Sequence, residues 1–196
     1  LGPVEIFVCN HGIGSAHEKV TWEQDPQLWD QTIRINLDGP FHLSRLITAG
    51  MVSLGYGRVV YTSSTAGEVA EYASAAYNSS KHGLLGLMRS VAVDGGAHGI
   101  TSNAVLPGWV RTEMAENSAL AEAQGRGVSA EEIWAERAAL YPAGRVVTPT
   151  EVAEVIAFLP SEEASVVRGP AVTGALGGIY CGLGILRQVL DHPDVL

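Results

Sequence analysis

Short apolar runs alternate along this chain with longer stretches whose apolar residues recur at helical spacing. Residues 4–9, 58–62, 101–106 and 171–176 are short, rich in β-branched side chains and bounded by Gly or Pro, which predicts strands. Residues 25–53, 75–93 and 112–159 carry the helical period. The strands show little polar/apolar alternation, so both of their faces are expected to be covered and Ile6, Phe7 and Val8 to be fully buried. Strands that alternate with helices in this way predict an α/β fold, a doubly wound parallel sheet.

Helix starts are well signed. Thr148-Pro149-Thr150-Glu151 is a capping box with proline at the first helical position, and Ser129-Ala130-Glu131-Glu132 is a second box. Asp25-Pro26 opens a third helix. Well inside that helix lies Pro40, which cannot donate to the carbonyl of Asn36 and pushes on it with its ring. A kink is expected there, leaving the Asn36 C=O open to another donor. Taken alone, such a kink usually reflects packing.

Composition narrows the reading. At 196 residues, 46% hydrophobic and 17% charged, the chain can bury a core and fits one domain. A formal net charge of −9 leaves no basic stripe for a nucleic acid. Cys9 and Cys181 are too few and too far apart for a disulfide scaffold, and Cys9 reads as a buried, inert strand thiol. Six glycines between 169 and 186 argue against a membrane helix in that apolar run, and a soluble cytoplasmic protein is expected. His17, His42, His82, His98 and His192 show no metal-ligand spacing, so no metal is expected.

The candidate chemistry sits in two stretches. Residues 57–67, Gly-Arg-Val-Val-Tyr-Thr-Ser-Ser-Thr-Ala-Gly, form a strand that delivers Ser63 and Ser64 at its C-terminal end, where open α/β sheets bind ligands. Tyr77-Asn78-Ser79-Ser80-Lys81 then places a phenol and an ammonium four residues apart on one helix face. The ammonium favours phenolate, which makes Tyr77 an acid/base near neutral pH. A nearby serine hydroxyl can donate to a carbonyl oxygen as charge develops on it. A Tyr and Lys at this spacing are common on helices and by themselves mean nothing.

Together these parts resemble the short-chain dehydrogenase/reductase family. Ser64, thirteen residues before Tyr77, with Lys81 four after it, is similar to that family's Ser–Tyr–Lys core, and Asn36 falls at its fourth catalytic position. Cys9-Asn10-His11-Gly12 resembles the N-N-A-G turn, and Pro107-Gly108-Trp109-Val110-Arg111-Thr112 the P-G-x-V-x-T turn that grips the nicotinamide. The stretches from Gly144-Arg145 to Leu159 and from Gly174 to Gly178 resemble the family's late helix and last strand. The resemblance implies an oxidoreductase that interconverts a secondary alcohol and a ketone with NAD or NADP. In it Asn36, Ser64, Tyr77 and Lys81 are catalytic. Asn10, Gly12, Tyr77, Lys81, Pro107, Gly108, Val110 and Thr112 hold the cofactor, and Ser64, Tyr77 and Trp109 meet the substrate. It further implies one Rossmann-like domain over 1–196, a substrate lid at 112–142 and a C-terminal extension at 179–196.

Within that lid Met114, Trp134 and Tyr141, with Tyr72 outside it, suggest a small neutral substrate, while Arg137 leaves room for a short hydroxy acid. The helix over 75–93 is apolar around most of its circumference, and residues 183–190 have the pattern of a short contact helix, so a homodimer or homotetramer is expected. There are departures. No Gly-rich phosphate turn precedes Val4, His11 replaces the usual Ala, and Leu176 replaces an Asp. The chain is accordingly expected to start at the family's fourth strand, with about 70 further residues, two βαβ units, ahead of it. The alternative is a non-catalytic fragment or scaffold without dinucleotide binding. A dehalogenase-like relative would carry Arg where Lys81 stands.

Overall fold

The structure is a computed structural model, and it describes residues 2–14 and 19–174. Four parallel strands, β1 (Ile6–Cys9), β2 (Gly57–Thr62), β3 (Ile100–Pro107) and β4 (Ala171–Gly174), lie in the order of the sequence. The register sets Val8 against Val60 and Val60 against Asn103. Each crossover is helical: α1 (Pro26–Ile33) and α2 (Gly39–Leu54), then α3 (Ala75–Gly95), then α4 (Glu113–Arg126), α5 (Ala130–Ala139) and α6 (Pro149–Phe158). The stretch of helical period from 112 to 159 is thus three helices. Their breaks fall at the two capping boxes, both of which form with the reciprocal serine or threonine and glutamate bonds.

Side chains alternate across the sheet as strand geometry requires. Val59 and Tyr61 of β2 and Ile100, Ala104 and Leu106 of β3 face α2 and α3, where Met51, Leu84, Leu85 and Met88 complete one core. Val60 and Val105 face the other way, against Leu159 and the apolar residues of α6. At β1 the described residues cover one face. Cys9 is buried and Phe7 packs on the first core, while Ile6 and Val8 are 50% and 40% exposed. Ile6 and Val8, which read as buried in a sheet covered on both faces, lie on the face of β1 that no described element covers. β1 is the edge strand of the described sheet, and α6 reaches β3 rather than β1.

Helix α3 also differs from expectation. Leu84, Leu85 and Met88 need no external partner, because the sheet buries them. The large apolar side chain that α3 exposes is Val93, near its end, whereas α2 exposes Phe41, Leu43, Leu46, Val52 and Leu54. Around Pro40 the chain does not simply kink. It widens into a π-turn over Arg34–Asp38, and the Gly39 N–H bonds back to the Arg34 carbonyl. A proline that cannot close the ordinary turn accommodates this extra residue readily, and such bulges gather at functional sites. Residues 175–196, including the predicted contact helix, the extension and Cys181, lie outside the described residues.

One turn fixes how β3 enters the sheet. Gly99 has φ of +72°, and a Cβ there would collide with the carbonyl oxygen of Gly55. A Gly99→Ala variant is therefore expected to lose about 3 kcal/mol, from backbone strain plus the clash. Urea melts check this, and an unchanged midpoint would show that the turn yields.

Candidate active site

Apart from Asn36, which sits in the π-turn between α1 and α2, the groups in question come from the C-terminal ends of the strands or from α3, which packs beside them. Asn10 follows β1, Ser63 and Ser64 follow β2, and the turn from Pro107 to Thr112 leaves β3. The three ends open into one cleft of about 680 Å³. It is lined by Asn10, Gly12, Ser64, Tyr77, Lys81, Pro107, Gly108, Trp109, Val110 and Thr112. Of the catalytic and cofactor-binding residues expected from sequence, only Asn36 does not line it; Asn36 lies behind its wall with no exposed surface.

Local bonding explains the arrangement. Ser63 and Ser64, adjacent in sequence, have different jobs. The Ser63 hydroxyl donates to the Lys81 carbonyl at 3.1 Å and ties β2 to α3. The Ser64 hydroxyl accepts from the Ala66 N–H at 3.1 Å, which aims the side chain while leaving its own proton for a ligand. Close packing at Gly67 helps, because a Cβ there would meet Ser63 Oγ at 2.8 Å and the Lys81 carbonyl at 3.0 Å.

Lys81 is 4% exposed, and its Nζ donates to the Thr62 carbonyl at 3.1 Å. Burial pushes its pKa down to about 8, with Cys9 pulling weakly the other way. The ammonium stands 5.5 Å from the centroid of the Tyr77 ring. Gly12 lies against it, since a Cβ at Gly12 would sit 3.3 Å from Nζ. A larger residue there would crowd the ammonium, so the small turn after β1 keeps the Lys81 end of the cleft open. Cys9, buried below, has its thiol pushed up to about 11 by burial, as an inert strand cysteine should.

Asn36 clamps this end of the cleft from behind. Its Oδ1 accepts from the Ile13 N–H and its Nδ2 donates to the Ile13 carbonyl, both at 2.8 Å. Nδ2 also donates to Ser80 Oγ at 3.1 Å, and Ser80 Oγ donates to the Tyr77 carbonyl at 2.8 Å. The π-turn is thus wired to the loop after β1 and to the first turns of α3. Sequence reading missed Ser80 and Ile13. Ser80 carried a signal, a small polar residue one turn from Tyr77 on an otherwise apolar face, whereas the Ile13 contact is made by main chain and has none.

The lid is built differently from expectation. Met114 and Trp109 line the cleft, but Trp134 and Tyr141 pack behind it. The Tyr141 hydroxyl oxygen accepts from the Trp109 N–H at 2.7 Å and so holds the turn. Tyr72 is 38% exposed and does not line the cleft. Arg137, the cation that would have received a hydroxy acid, is 5% exposed and does not line the cleft either.

The donor set suits the nicotinamide half of a dinucleotide. Asn10 and Gly12 on one side and the Pro107–Thr112 turn on the other flank the same space as Tyr77 and Lys81, and Gly14 keeps its floor low against Tyr77 and Met114. Main-chain groups of a turn and a buried ammonium are what an amide and a ribose hydroxyl pair would need.

Comparison with known proteins agrees with this geometry. A family model described as enoyl-(acyl carrier protein) reductase matches residues 1–177. The chain is 37% identical over 170 residues to the D-beta-hydroxybutyrate dehydrogenase of Cupriavidus necator, covering 86% of this chain and 65% of that protein. It is 36% identical over 181 residues to an acetoacetyl-CoA reductase of Rhizobium meliloti, covering 92% of this chain and 69% of that one. The chain thus spans about two thirds of the length of these curated relatives. Among solved structures, an actinorhodin polyketide ketoreductase with NADPH superposes with a TM-score of 0.81 at 35% identity, over 90% of this chain and 68% of that one. Levodione reductase superposes with a TM-score of 0.84 at 32% identity, over 91% and 68%.

Proposed function

This chain belongs to the short-chain dehydrogenase/reductase family, and on that premise we propose that it is an NAD(P)-dependent oxidoreductase interconverting a secondary alcohol and a ketone. The observation that carries the reading is the convergence of Ser64, Tyr77 and Lys81 in one cleft with Asn10, Gly12 and the Pro107–Thr112 turn. NAD or NADP, when bound, supplies or accepts the hydride.

The protein's own groups manage position and charge. Ser64 donates to the carbonyl oxygen as negative charge builds there. Tyr77 delivers the proton to that oxygen during reduction and removes it during oxidation. Lys81, with its ammonium beside the ring, favours the phenolate and holds ribose hydroxyls. Asn36 fixes the far end of the proton path through its main-chain carbonyl, and its side chain locks the loop and helix that frame it. Asn10, Gly12, Pro107, Gly108, Val110 and Thr112 cradle the nicotinamide half, and Trp109 meets the substrate. The substrate is a small carbonyl or hydroxy compound, entering under the lid formed by residues 112–142. The exposed apolar residues of α2 support assembly as a homodimer or homotetramer.

Incubation of the protein with a panel of small ketones and either reduced dinucleotide tests this. Deuterium from a dinucleotide labelled at the transferring carbon is expected in the product alcohol, at the former carbonyl carbon. A protein neither stabilised by a dinucleotide nor able to move the label would be a scaffold of this fold.

A further inference from the structure

Arg137 is a buried cation for which the reaction above has no use. It stands in the last turn of α5, 5% exposed, and does not line the cleft. Its guanidinium donates to the Ala115 carbonyl at 3.2 Å, to Ser118 Oγ at 3.2 Å and to the Glu122 carboxylate at 3.0 Å, all on α4. Its central carbon stands 3.7 Å from the centroid of the Trp109 ring and 5.0 Å from that of Trp134. Three of these partners, Trp109, Ala115 and Ser118, line the cleft. One guanidinium thus joins α5, α4 and the turn after β3 behind a single stretch of cleft wall.

Stability is a poor account of a charge in this place. Burial pushes the Arg137 pKa down, against the pull of the Glu122, Glu71 and Glu116 carboxylates, so folding bears a cost for the charge. An apolar side chain of similar volume between two indoles would often serve the fold as well. What the guanidinium supplies is geometry. The main chain of Trp109 is already held, since its N–H donates to the Tyr141 hydroxyl at 2.7 Å and its carbonyl accepts from the Val147 N–H at 3.2 Å. Those bonds fix the backbone and leave the side-chain torsions to be set. A flat cation anchored at three points on α4 and stacked on the ring sets them.

Resting on the oxidoreductase reading above, we propose that Arg137 is a positioning residue for the substrate: it holds the Trp109 ring as the wall against which the apolar part of a small ketone packs. Arg137 acts only through Trp109 in this scheme, and that makes the two residues testable as a pair.

Cyclohexanone, a neutral ketone with an apolar ring, is the kinetic probe, used with reduced dinucleotide. Arg137→Met is expected to raise its KM about tenfold, the size of one desolvated cation–π contact. A change in kcat of less than about threefold should accompany it, because the wall binds ground state and transition state alike. In a Trp109→Ala background the same substitution should move KM by no more than about twofold. Effects that multiply independently, or a fall in kcat without a rise in KM, overturn the proposal and leave the oxidoreductase reading intact. A second measurement needs no turnover. The near-ultraviolet circular dichroism of the parent less that of Trp109→Phe isolates the band of the Trp109 indole. The same subtraction made in the Arg137→Met background should give a clearly weaker band, since a ring free to turn averages its signal, and an undiminished band overturns the proposal. Where cyclohexanone is not reduced, this comparison decides alone. Arg137→Lys, which keeps the charge and loses the flat fork, carries both comparisons should Arg137→Met not fold.

Discussion

Replacing Tyr77 by Phe is expected to lower turnover by about a thousandfold, within the range attributed to a positioned acid/base, while dinucleotide affinity changes little. The substitution removes one oxygen and keeps the ring that Lys81 and Gly14 pack against. The fold is expected to survive the change, because α3 is anchored by Leu84, Leu85 and Met88 and by the Ser63 bond to the Lys81 carbonyl. Ser64→Ala should cost about a hundredfold, because one donor to the developing oxyanion is lost. Both variants should remain folded, with Ser64→Ala less stable by about 1 kcal/mol for the lost bond from the Ala66 N–H. Retention of more than about a tenth of the parent rate by Tyr77→Phe would assign the proton transfer to another group, since a tenfold change corresponds to only about 1.4 kcal/mol of barrier.

The parts of this site that could be read in sequence are those set by local geometry. Tyr77 and Lys81 share a helix face because they are four residues apart, and Ser64 reaches the cleft because it ends a strand. The capping boxes at Ser129 and Thr148 and the cap at Asp25 fall where the helices begin, since a cap is a contact across three residues. The misreadings have a common cause. Ile6 and Val8 look buried by composition, but burial depends on which neighbours a strand finds, and β1 lies at the edge of the described sheet. Arg137 looks like a ligand-seeking cation until the lid folds and sets Glu122 and Trp109 around it, fifteen and twenty-eight residues away in sequence. Ser80 matters through Asn36, forty-four residues distant. A proline inside a helix signals irregularity, yet only the fold distinguishes a π-turn from a kink.

Lys81 should reveal the tension between stability and function. Its ammonium is 4% exposed, bonded to a single main-chain carbonyl, and among the described residues it makes no salt bridge. In the unfolded chain a lysine titrates near its ordinary value of about 10.4, whereas in the folded protein burial lowers Lys81 to about 8. Below pH 8 both states carry the proton, and folding bears the whole cost of desolvating the charge. Between about pH 8 and 10.4 the folded state has released the proton and the unfolded state has not, so stability rises with pH across that window. A Lys81→Met variant, which fills the same channel without a charge, is therefore expected to be more stable at pH 7. The gain is at most about 3 kcal/mol, less about 1 for the lost bond to Thr62. That gain should fade as the pH approaches 10.4, and turnover should be nearly abolished at every pH. Urea melts of parent and variant at neutral and alkaline pH make the comparison. A variant less stable than the parent at pH 7 would mean that Lys81 is held in the fold by attraction, and its charge would then be structural rather than retained for the chemistry of Tyr77.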